Sequence, residues 1–167
     1  MSTDNVILRP FEWRDVPEIT QLYAHYVEES VVTFDTEVPS EFRMAEKFGH
    51  MVDEGHPVLV AERDGVLIGY AYASQYRPRY AYRFTCEDSI YVHKDATGRG
   101  LGKLLLGRLL EESTRFGFKQ MLAVITADTL NSIALHEKFG FTVMGRYPAL
   151  GYKFDRWLDI VHMQRAL

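Results

Sequence analysis

Thr97-Gly98-Arg99-Gly100-Leu101-Gly102-Lys103 joins a strand-like segment, Thr85–Val92, to a helix-like segment, Leu101–Phe116. Glycines in such a turn let the backbone approach a ligand closely. The first turn of a helix leaves N–H groups unpaired, and the helix dipole favours negative charge there. A tight connection without a ligand would use glycines too, but the cations Arg99 and Lys103 beside them favour a phosphate-binding turn.

Length, composition and charge narrow the class of protein. The 167 residues predict one globular domain over 1–167, and 47% hydrophobic residues suffice for a substantial core. The net charge of −4 argues against a protein that binds nucleic acid by broad charge neutralisation. No apolar run reaches the ~20 residues of a membrane span, and the first residues lack the pattern of a secretory signal.

Cys86 is the single cysteine of the chain. It cannot form a disulfide within the chain, so a reducing cytoplasm is the expected location. No cluster of cysteine and histidine has the spacing of zinc ligands, so we expect no metal.

Apolar periodicity and turn residues divide the chain into helices and strands. The predicted helices are Trp13–Glu29, Ser40–Val52, Leu101–Phe116 and Asn131–Phe139. The predicted strands are Val6–Leu8, Val58–Ala61, Val66–Ala71, Thr85–Val92, Gln120–Thr126, Phe141–Met144 and Asp159–Met163. Asp64-Gly65 predicts a hairpin turn, and Tyr147–Tyr152 a connection between the last two strands. This order predicts an α/β fold, a mixed sheet with helices on both faces.

The helix after the glycine-rich turn offers several candidate core positions. We expect five of its side chains to point inward: Leu101, Leu104, Leu105, Leu109 and Phe116.

Four blocks together resemble the GNAT superfamily of acetyl-CoA-dependent N-acetyltransferases, and within it the phosphinothricin or methionine sulfoximine acetyltransferase family. They are the glycine-rich turn, Asn131–Phe141, Thr85–Val92, and Gly151–Phe154 with Trp157–Asp159. Thr97 departs from the Gln or Arg that usually opens the turn, whereas His136, in place of the superfamily's usual Tyr, is typical of the phosphinothricin branch. The resemblance covers nearly the whole chain. It implies an acyl-CoA N-acyltransferase fold with a mostly antiparallel sheet, acetyl-CoA as co-substrate, and a homodimer.

The resemblance also implies which residues contact the cofactor. They are Ile90, Tyr91, Val92, Thr97, Gly98, Arg99, Gly100, Leu101, Gly102, Lys103, Asn131 and Lys138. A helix cap is the alternative role for Asn131, and a solvated charge is the alternative for Lys138.

Acetyl transfer to an amine needs a base, a thioester held beside the amine, and stabilisation of the oxyanion. Glu87 is the candidate base, directly or through water, because a carboxyl removed from water can accept protons near neutral pH. Its alternative role is an ion pair with a nearby arginine. The Val92 N–H is the candidate oxyanion donor, or else an ordinary ladder donor. His136 could protonate the departing thiolate or assist the base, or it could be a packed helix residue.

The acceptor is expected to be a small amine that carries a carboxylate. The candidate substrate-binding residues are Phe34, Glu37, Arg77, Pro78, Arg79, Tyr82, Glu87 and Lys153. Arginine forks match a carboxylate or a phosphinate by paired hydrogen bonds. These arginines could instead be surface charges, and the tyrosines beside them a dimer contact. Acetylation of protein N-termini or polyamines, and non-catalytic acyl-CoA binding, are the competing functions.

Overall fold

A seven-stranded sheet forms the centre of the computed structural model, which describes residues 5–167. Its strands are β1 (Val6–Pro10), β2 (Val58–Arg63), β3 (Val66–Gln75), β4 (Thr85–Val92), β5 (Gln120–Thr126), β6 (Thr142–Lys153) and β7 (Arg156–Ala166). They lie in the order β1-β2-β3-β4-β5-β7-β6, and only β4 and β5 run parallel as neighbours. The expected mixed, mostly antiparallel sheet is confirmed.

Helices cover both faces of the sheet, as expected. They are α1 (Val16–Glu29), α2 (Glu41–Asp53), α3 (Leu101–Phe116) and α4 (Leu130–Lys138), with short 3-10 turns at Trp13–Asp15, Tyr80–Tyr82 and Lys94–Ala96. α1 and α2 bury an apolar cluster against β2 and β3 on one face. α3 forms a second cluster with the opposite face, and residues of α4 pack against it. Within residues 5–167, no helix is long and apolar enough to span a membrane.

Local chemistry explains where several elements begin and end. The Ser40 hydroxyl accepts a hydrogen bond from the Arg43 N–H at 3.2 Å and so caps α2. Gly117 has a φ of +112°, a left-handed conformation that ends α3. Asp64 and Gly65 both have positive φ and form the two-residue hairpin turn between β2 and β3.

The last hairpin differs from the sequence prediction. Tyr147–Tyr152 was expected to be a connection, but it belongs to β6, and the chain turns at Phe154 and Asp155, whose φ values are +53° and +56°. The pairing of β6 with β7 shifts register twice, after Val143 and after Tyr147. Such bulges interrupt the alternation of apolar and polar side chains by which a strand is recognised in a sequence.

The buried face of α3 also differs in part from expectation. Leu101, Leu105 and Leu109 are buried as predicted, but Leu104 and Phe116 are 37% and 41% exposed. Two other leucines of the helix, at positions 106 and 110, are buried instead. Because leucine occupies so many adjacent positions, periodicity does not fix which side of this helix faces the sheet.

The parallel pair at the centre of the sheet separates along its length. β4 and β5 are paired only from Thr85 opposite Gln120 to Glu87 opposite Leu122. Both strands then continue, to Val92 and to Thr126, outside this ladder. The sheet therefore opens between them, next to the glycine-rich turn.

Candidate active site

The gap between β4 and β5 leads into a cleft of about 650 Å³. Its walls come from β4, β5, the glycine-rich turn, the start of α3, α4 and the loop after α1. Twelve of the residues expected at the site line it: Phe34, Glu87, Ile90, Tyr91, Val92, Thr97, Gly98, Gly100, Leu101, Gly102, Asn131 and His136. A cleft of this size accommodates a small molecule or part of a cofactor.

The glycine-rich turn presents bare backbone to this cleft. Gly98 and Gly100 have φ values of +74° and +79°, a backbone conformation that residues other than glycine rarely adopt. A Cβ at Gly98 would meet no atom within 4 Å, so other groups of the protein do not cover this backbone. The Leu104 N–H donates to the Gly100 carbonyl at 3.1 Å, the first hydrogen bond of α3. The amides of 101–103 precede that bond and remain available to an anion.

The backbone of β4 offers further hydrogen-bonding groups. Val92 lies opposite Gly69 of β3, and the His93 N–H donates to the Ile68 carbonyl at 2.8 Å. Val92 is therefore at a position whose own N–H and C=O point away from β3, toward the gap. Ile90, two residues earlier, has the same orientation. The Tyr26 hydroxyl donates a hydrogen bond to the Val92 carbonyl, which leaves the Val92 N–H as the group directed to the cleft.

Glu87 lies at the last paired position of β4, where the two strands separate. Its side chain shares a face with Tyr91, on the side of α1 and α2. Burial raises the pKa of the Glu87 carboxyl, the charge of Asp88 raises it further, and the ammonium of Lys47 opposes the shift. None of the ion pairs among residues 5–167 involves Glu87, so the alternative of an arginine pair receives no support.

His136 of α4 is buried beside the cleft, and both of its ring nitrogens have partners. Nε2 lies 2.7 Å from Asp88 Oδ2, and Nδ1 lies 2.7 Å from the Ser132 carbonyl oxygen. Burial disfavours the imidazolium, but the hydrogen bond and charge of Asp88 outweigh burial, so the pKa of His136 is raised. The Ser132 carbonyl and the Asp88 carboxylate are both acceptors, so each ring nitrogen is placed to donate. This arrangement leaves neither nitrogen directed at a substrate, which differs from the proton-transfer role considered from the sequence.

The loop after α1 is held over the cleft by the last hairpin. The Lys153 ammonium is buried and donates to the carbonyls of Ser30 at 2.6 Å and Thr33 at 2.8 Å. Gly151 lies under the ring of Phe34, and a Cβ at Gly151 would collide with that ring. Lys153 was expected to contact the acceptor. Its ammonium instead anchors the backbone that carries Phe34, because three carbonyls from this region surround it.

Comparisons with known proteins agree with this geometry. Residues 19–141 match the model of the "Acetyltransferase (GNAT) family". The chain belongs to this family. It is 44% identical over 155 residues to phosphinothricin N-acetyltransferase of Alcaligenes faecalis, which covers 92% of this chain and 78% of that protein. It is 40% identical over 154 residues to the L-methionine sulfoximine/L-methionine sulfone acetyltransferase of Salmonella typhimurium, covering 92% and 90%.

A solved structure shows the same fold with its ligand. It is a GNAT superfamily phosphinothricin acetyltransferase from Sinorhizobium meliloti in complex with acetyl-CoA, 44% identical, with a TM-score of 0.95 over 98% of this chain and 89% of that chain. The predicted resemblance to GNAT enzymes of the phosphinothricin type is thus confirmed. The chain is an acetyltransferase that takes its acetyl group from acetyl-CoA.

The cleft of this GNAT enzyme suits acetyl-CoA. The bare amides of the glycine-rich turn match a pyrophosphate, and the unpaired backbone groups of β4 can bond an extended chain that enters the gap. Asn131 lies in the first turn of α4, one residue after Leu130 opens the helix, and Thr129 occupies the cap position instead. Among residues 5–167, no three side chains of His, Cys, Asp or Glu are grouped to hold a metal.

Three expected cofactor residues lie outside the cleft wall. Lys103 and Lys138 are exposed, and Arg99, within the turn, is half-buried. Thr97 replaces the Gln or Arg usual at the first position of the GNAT turn. Its hydroxyl donates to the Lys94 carbonyl at 3.0 Å. Thr97 therefore fastens the turn to the preceding 3-10 segment.

Five expected acceptor residues also lie outside the cleft wall and are exposed: Glu37, Arg77, Pro78, Arg79 and Tyr82. The turn that carries the arginines is nevertheless ordered. Gln75 Nε2 donates to the carbonyls of Arg77 at 2.6 Å and Arg79 at 3.2 Å. The Arg77 guanidinium carbon lies 5.1 Å from the centre of the Tyr76 ring.

Sequence reasoning missed several groups in the site of this GNAT enzyme. Tyr26 falls among the apolar positions of the predicted helix Trp13–Glu29, although a tyrosine there needs a partner for its hydroxyl. Residues 124–126 belong to the predicted strand Gln120–Thr126, and they line the cleft because the pairing of β5 with β4 ends at Leu122. Strand alternation places Asp88 on the sheet face opposite to Glu87, and there it is buried against His136. No local signal in the sequence reveals the last two.

Proposed function

We propose that this enzyme acetylates the α-amino group of a small amino acid of the phosphinothricin, methionine sulfoximine or methionine sulfone type. The observation that carries the proposal is the position of Glu87. Its buried carboxyl, with a raised pKa, lies where β4 and β5 separate, in the same cleft as the glycine-rich turn. The relatives named for phosphinothricin and methionine sulfoximine support this class of acceptor.

Binding of acetyl-CoA is assigned to backbone groups. The amides at 98–103 hold the pyrophosphate, and the β4 groups of Ile90 and Val92 hold the pantetheine arm. Arg99, Lys103 and Lys138 supply positive charge outside the cleft wall, where the adenosine end of the cofactor leaves it. Asn131 donates a hydrogen bond from the first turn of α4.

The transfer step needs a neutral amine. Glu87 accepts a proton from the acceptor's ammonium, directly or through a water, and the amine then attacks the thioester carbonyl carbon. The Val92 N–H donates to the oxygen that gains negative charge, an interaction worth about 3 kcal/mol at such sites. The C–S bond breaks as the tetrahedral intermediate collapses, and coenzyme A leaves with a proton from the new amide nitrogen.

His136 and Asp88 are assigned to positioning in this scheme. The hydrogen-bonded pair links α4 to β4 directly beside the gap, so it fixes Asn131 and Ser132 relative to the Val92 amide. The departing thiolate therefore takes its proton from the acceptor nitrogen and not from His136. Phe34 forms the apolar wall, and Arg77, Arg79, Glu37 and Tyr82 form the outer part of the acceptor site.

A panel of amines tests this function. Release of free thiol from acetyl-CoA is measured with methionine sulfone, phosphinothricin, spermidine and a peptide with a free N-terminus. We expect turnover with the first two, and an acceptor KM raised about tenfold by Arg77→Ala or Arg79→Ala. Turnover with only spermidine or the peptide would instead support a polyamine or N-terminal acetyltransferase. Binding of acetyl-CoA with no turnover on any amine would indicate a non-catalytic acyl-CoA-binding module.

We also propose a homodimer. Exposed apolar side chains are grouped on the last hairpin: Leu150, Tyr152, Phe154 and Trp157 are each more than half exposed. Apolar and aromatic side chains of this kind are enriched at the centres of interfaces. Light scattering on the wild type and on Trp157→Glu tests this. The wild type should have twice the chain mass, and the variant should shift toward the monomer.

A further inference from the structure

Lys47 of α2 holds its ammonium on a surface made of tyrosine rings. Its Nζ lies 5.1 Å from the centre of the Tyr72 ring and 5.8 Å from that of Tyr23. Both tyrosines are at least 94% buried. None of the ion pairs among residues 5–167 includes Lys47, so it has no carboxylate partner within ion-pair distance there. Aromatic faces attract a cation but do not neutralise it, so this charge remains available to an anion.

The ammonium lies on the same side of the sheet as Glu87. Tyr72 is directly opposite Ser89 in the β3–β4 pairing, and opposite residues project from the same face. Ser89 is two residues from Glu87, so its side chain projects from the same face as that of Glu87. The positive charge of Lys47 also lowers the pKa of the Glu87 carboxyl, against the larger effect of burial, as expected of a cation on this face.

An α-amino acid carries its carboxylate on the same carbon as its amine. When the amine faces Glu87, the carboxylate must lie within a few ångströms of that base, and it needs a cation there. We propose that Lys47 is a specificity-determining residue that binds the α-carboxylate of the acceptor. This inference rests on the proposed function and adds to it the group that selects amino acids over simple amines.

Arg77 and Arg79 suit the other end of the acceptor. Ser74 lies opposite Glu87, and the chain continues beyond Ser74 to the arginine turn. Tyr72, with the Lys47 ammonium over its ring, lies two residues before Ser74 on β3, whereas the arginine turn follows Ser74. The two sources of positive charge therefore flank Glu87 along the strand. A carboxylate at Lys47 leaves the arginines for a distal tetrahedral group, such as a phosphinate or a sulfone.

Two acceptors that differ by one group test the inference. They are methionine sulfone and 3-(methylsulfonyl)propan-1-amine, which is the same molecule without its carboxylate. For Lys47→Met we expect the KM of methionine sulfone to rise by about 10- to 100-fold, and the KM of the amine to stay within about twofold. Lys47→Arg should restore most of the loss. Arg43→Met, one turn earlier on α2 and exposed in an ion pair with Glu46, is the control and should leave both KM values unchanged.

The outcomes separate this inference from the proposed function. If the wild type acetylates methionine sulfone, and Lys47→Met alters neither KM or alters both equally, the carboxylate site is elsewhere and the inference is overturned. If the wild type acetylates no amino acid at all, the proposed function itself fails, and the assignment of Lys47 falls with it. A selective rise in the KM of methionine sulfone, reversed by arginine, supports both.

Discussion

His136 Nε2 lies 2.7 Å from Asp88 Oδ2, and both side chains are about 95% buried. The pair joins α4 to β4 one residue beyond the last paired position of the two parallel strands. This buried hydrogen bond ties the position of α4 to that of β4. The pair therefore helps to set the shape of the cleft, because both α4 and β4 form its walls.

Asp88→Asn should test this pair through stability. The substitution keeps the shape but removes the charge, and we expect the free energy of unfolding at pH 6 to fall by about 2 kcal/mol. The raised pKa of His136 means that its contribution is complete below its usual value near 6.5 and is lost as pH rises through the raised value. The difference between wild type and variant should therefore shrink at alkaline pH, as measured by urea denaturation.

Asp128→Asn is the matched control for that measurement. Asp128 pairs with Arg156 at 2.6 Å, but both side chains are about half exposed. Loss of this surface pair should change stability by less than about 1 kcal/mol. Equal effects of the two substitutions on the free energy of unfolding would show that the buried pair stabilises the protein no more than the surface pair does.

Glu87→Gln should lower kcat by about 100-fold, because glutamine cannot accept the proton. The pKa of Glu87 is raised, so in the wild type kcat/KM should fall as pH drops through that raised value, and the variant should lack this limb. Calorimetry should give the same Kd for coenzyme A in both proteins. Glu111→Gln, on the exposed side of α3, serves as the control. Full activity of the Glu87 variant across the pH range would exclude it as the base.

Gly98→Ala should weaken binding of acetyl-CoA. The left-handed φ of +74° costs alanine about 1–2 kcal/mol, and relaxation of the turn moves its amides away from the phosphates. Gly65→Ala meets the same strain at φ +78° in a hairpin turn outside the cleft wall. Both variants should lose similar stability, but only the first should raise the Kd for coenzyme A. A similar Kd for coenzyme A in both variants would show that the glycine-rich turn does not bind the cofactor.

Gly151→Ala should disturb the acceptor side of the cleft. A Cβ there collides with the ring of Phe34, and overpacking of this kind costs about 1–3 kcal/mol. The displaced ring should raise the acceptor KM. Gly145→Ala on the same strand is the control, since its Cβ would meet the Tyr147 ring at an ordinary 3.7 Å. Acceptor kinetics that do not distinguish the two variants would argue that Phe34 is not part of the acceptor wall.

The sequence by itself determined the glycine-rich turn, the helix after it and the strand that follows this helix. These features follow from local chemistry: positive φ at Gly98 and Gly100, a regular apolar pattern in Gln120–Thr126, and a glycine stop at Gly117. Each depends on residues close together in the chain, so a pattern can reveal it. Four motif blocks in the right order were sufficient to identify the family.

Only the tertiary structure decided how the cleft is built. The pairing and separation of β4 and β5, the contact of His136 with Asp88 and the anchoring of Ser30 by Lys153 involve residues 35 to 123 positions apart. No local pattern specifies such a contact, because its partner is brought near by the packing of the whole sheet. The same holds for Lys47: the packing of α2 on the sheet places its ammonium against the Tyr72 and Tyr23 rings, on the face of the sheet that carries Glu87.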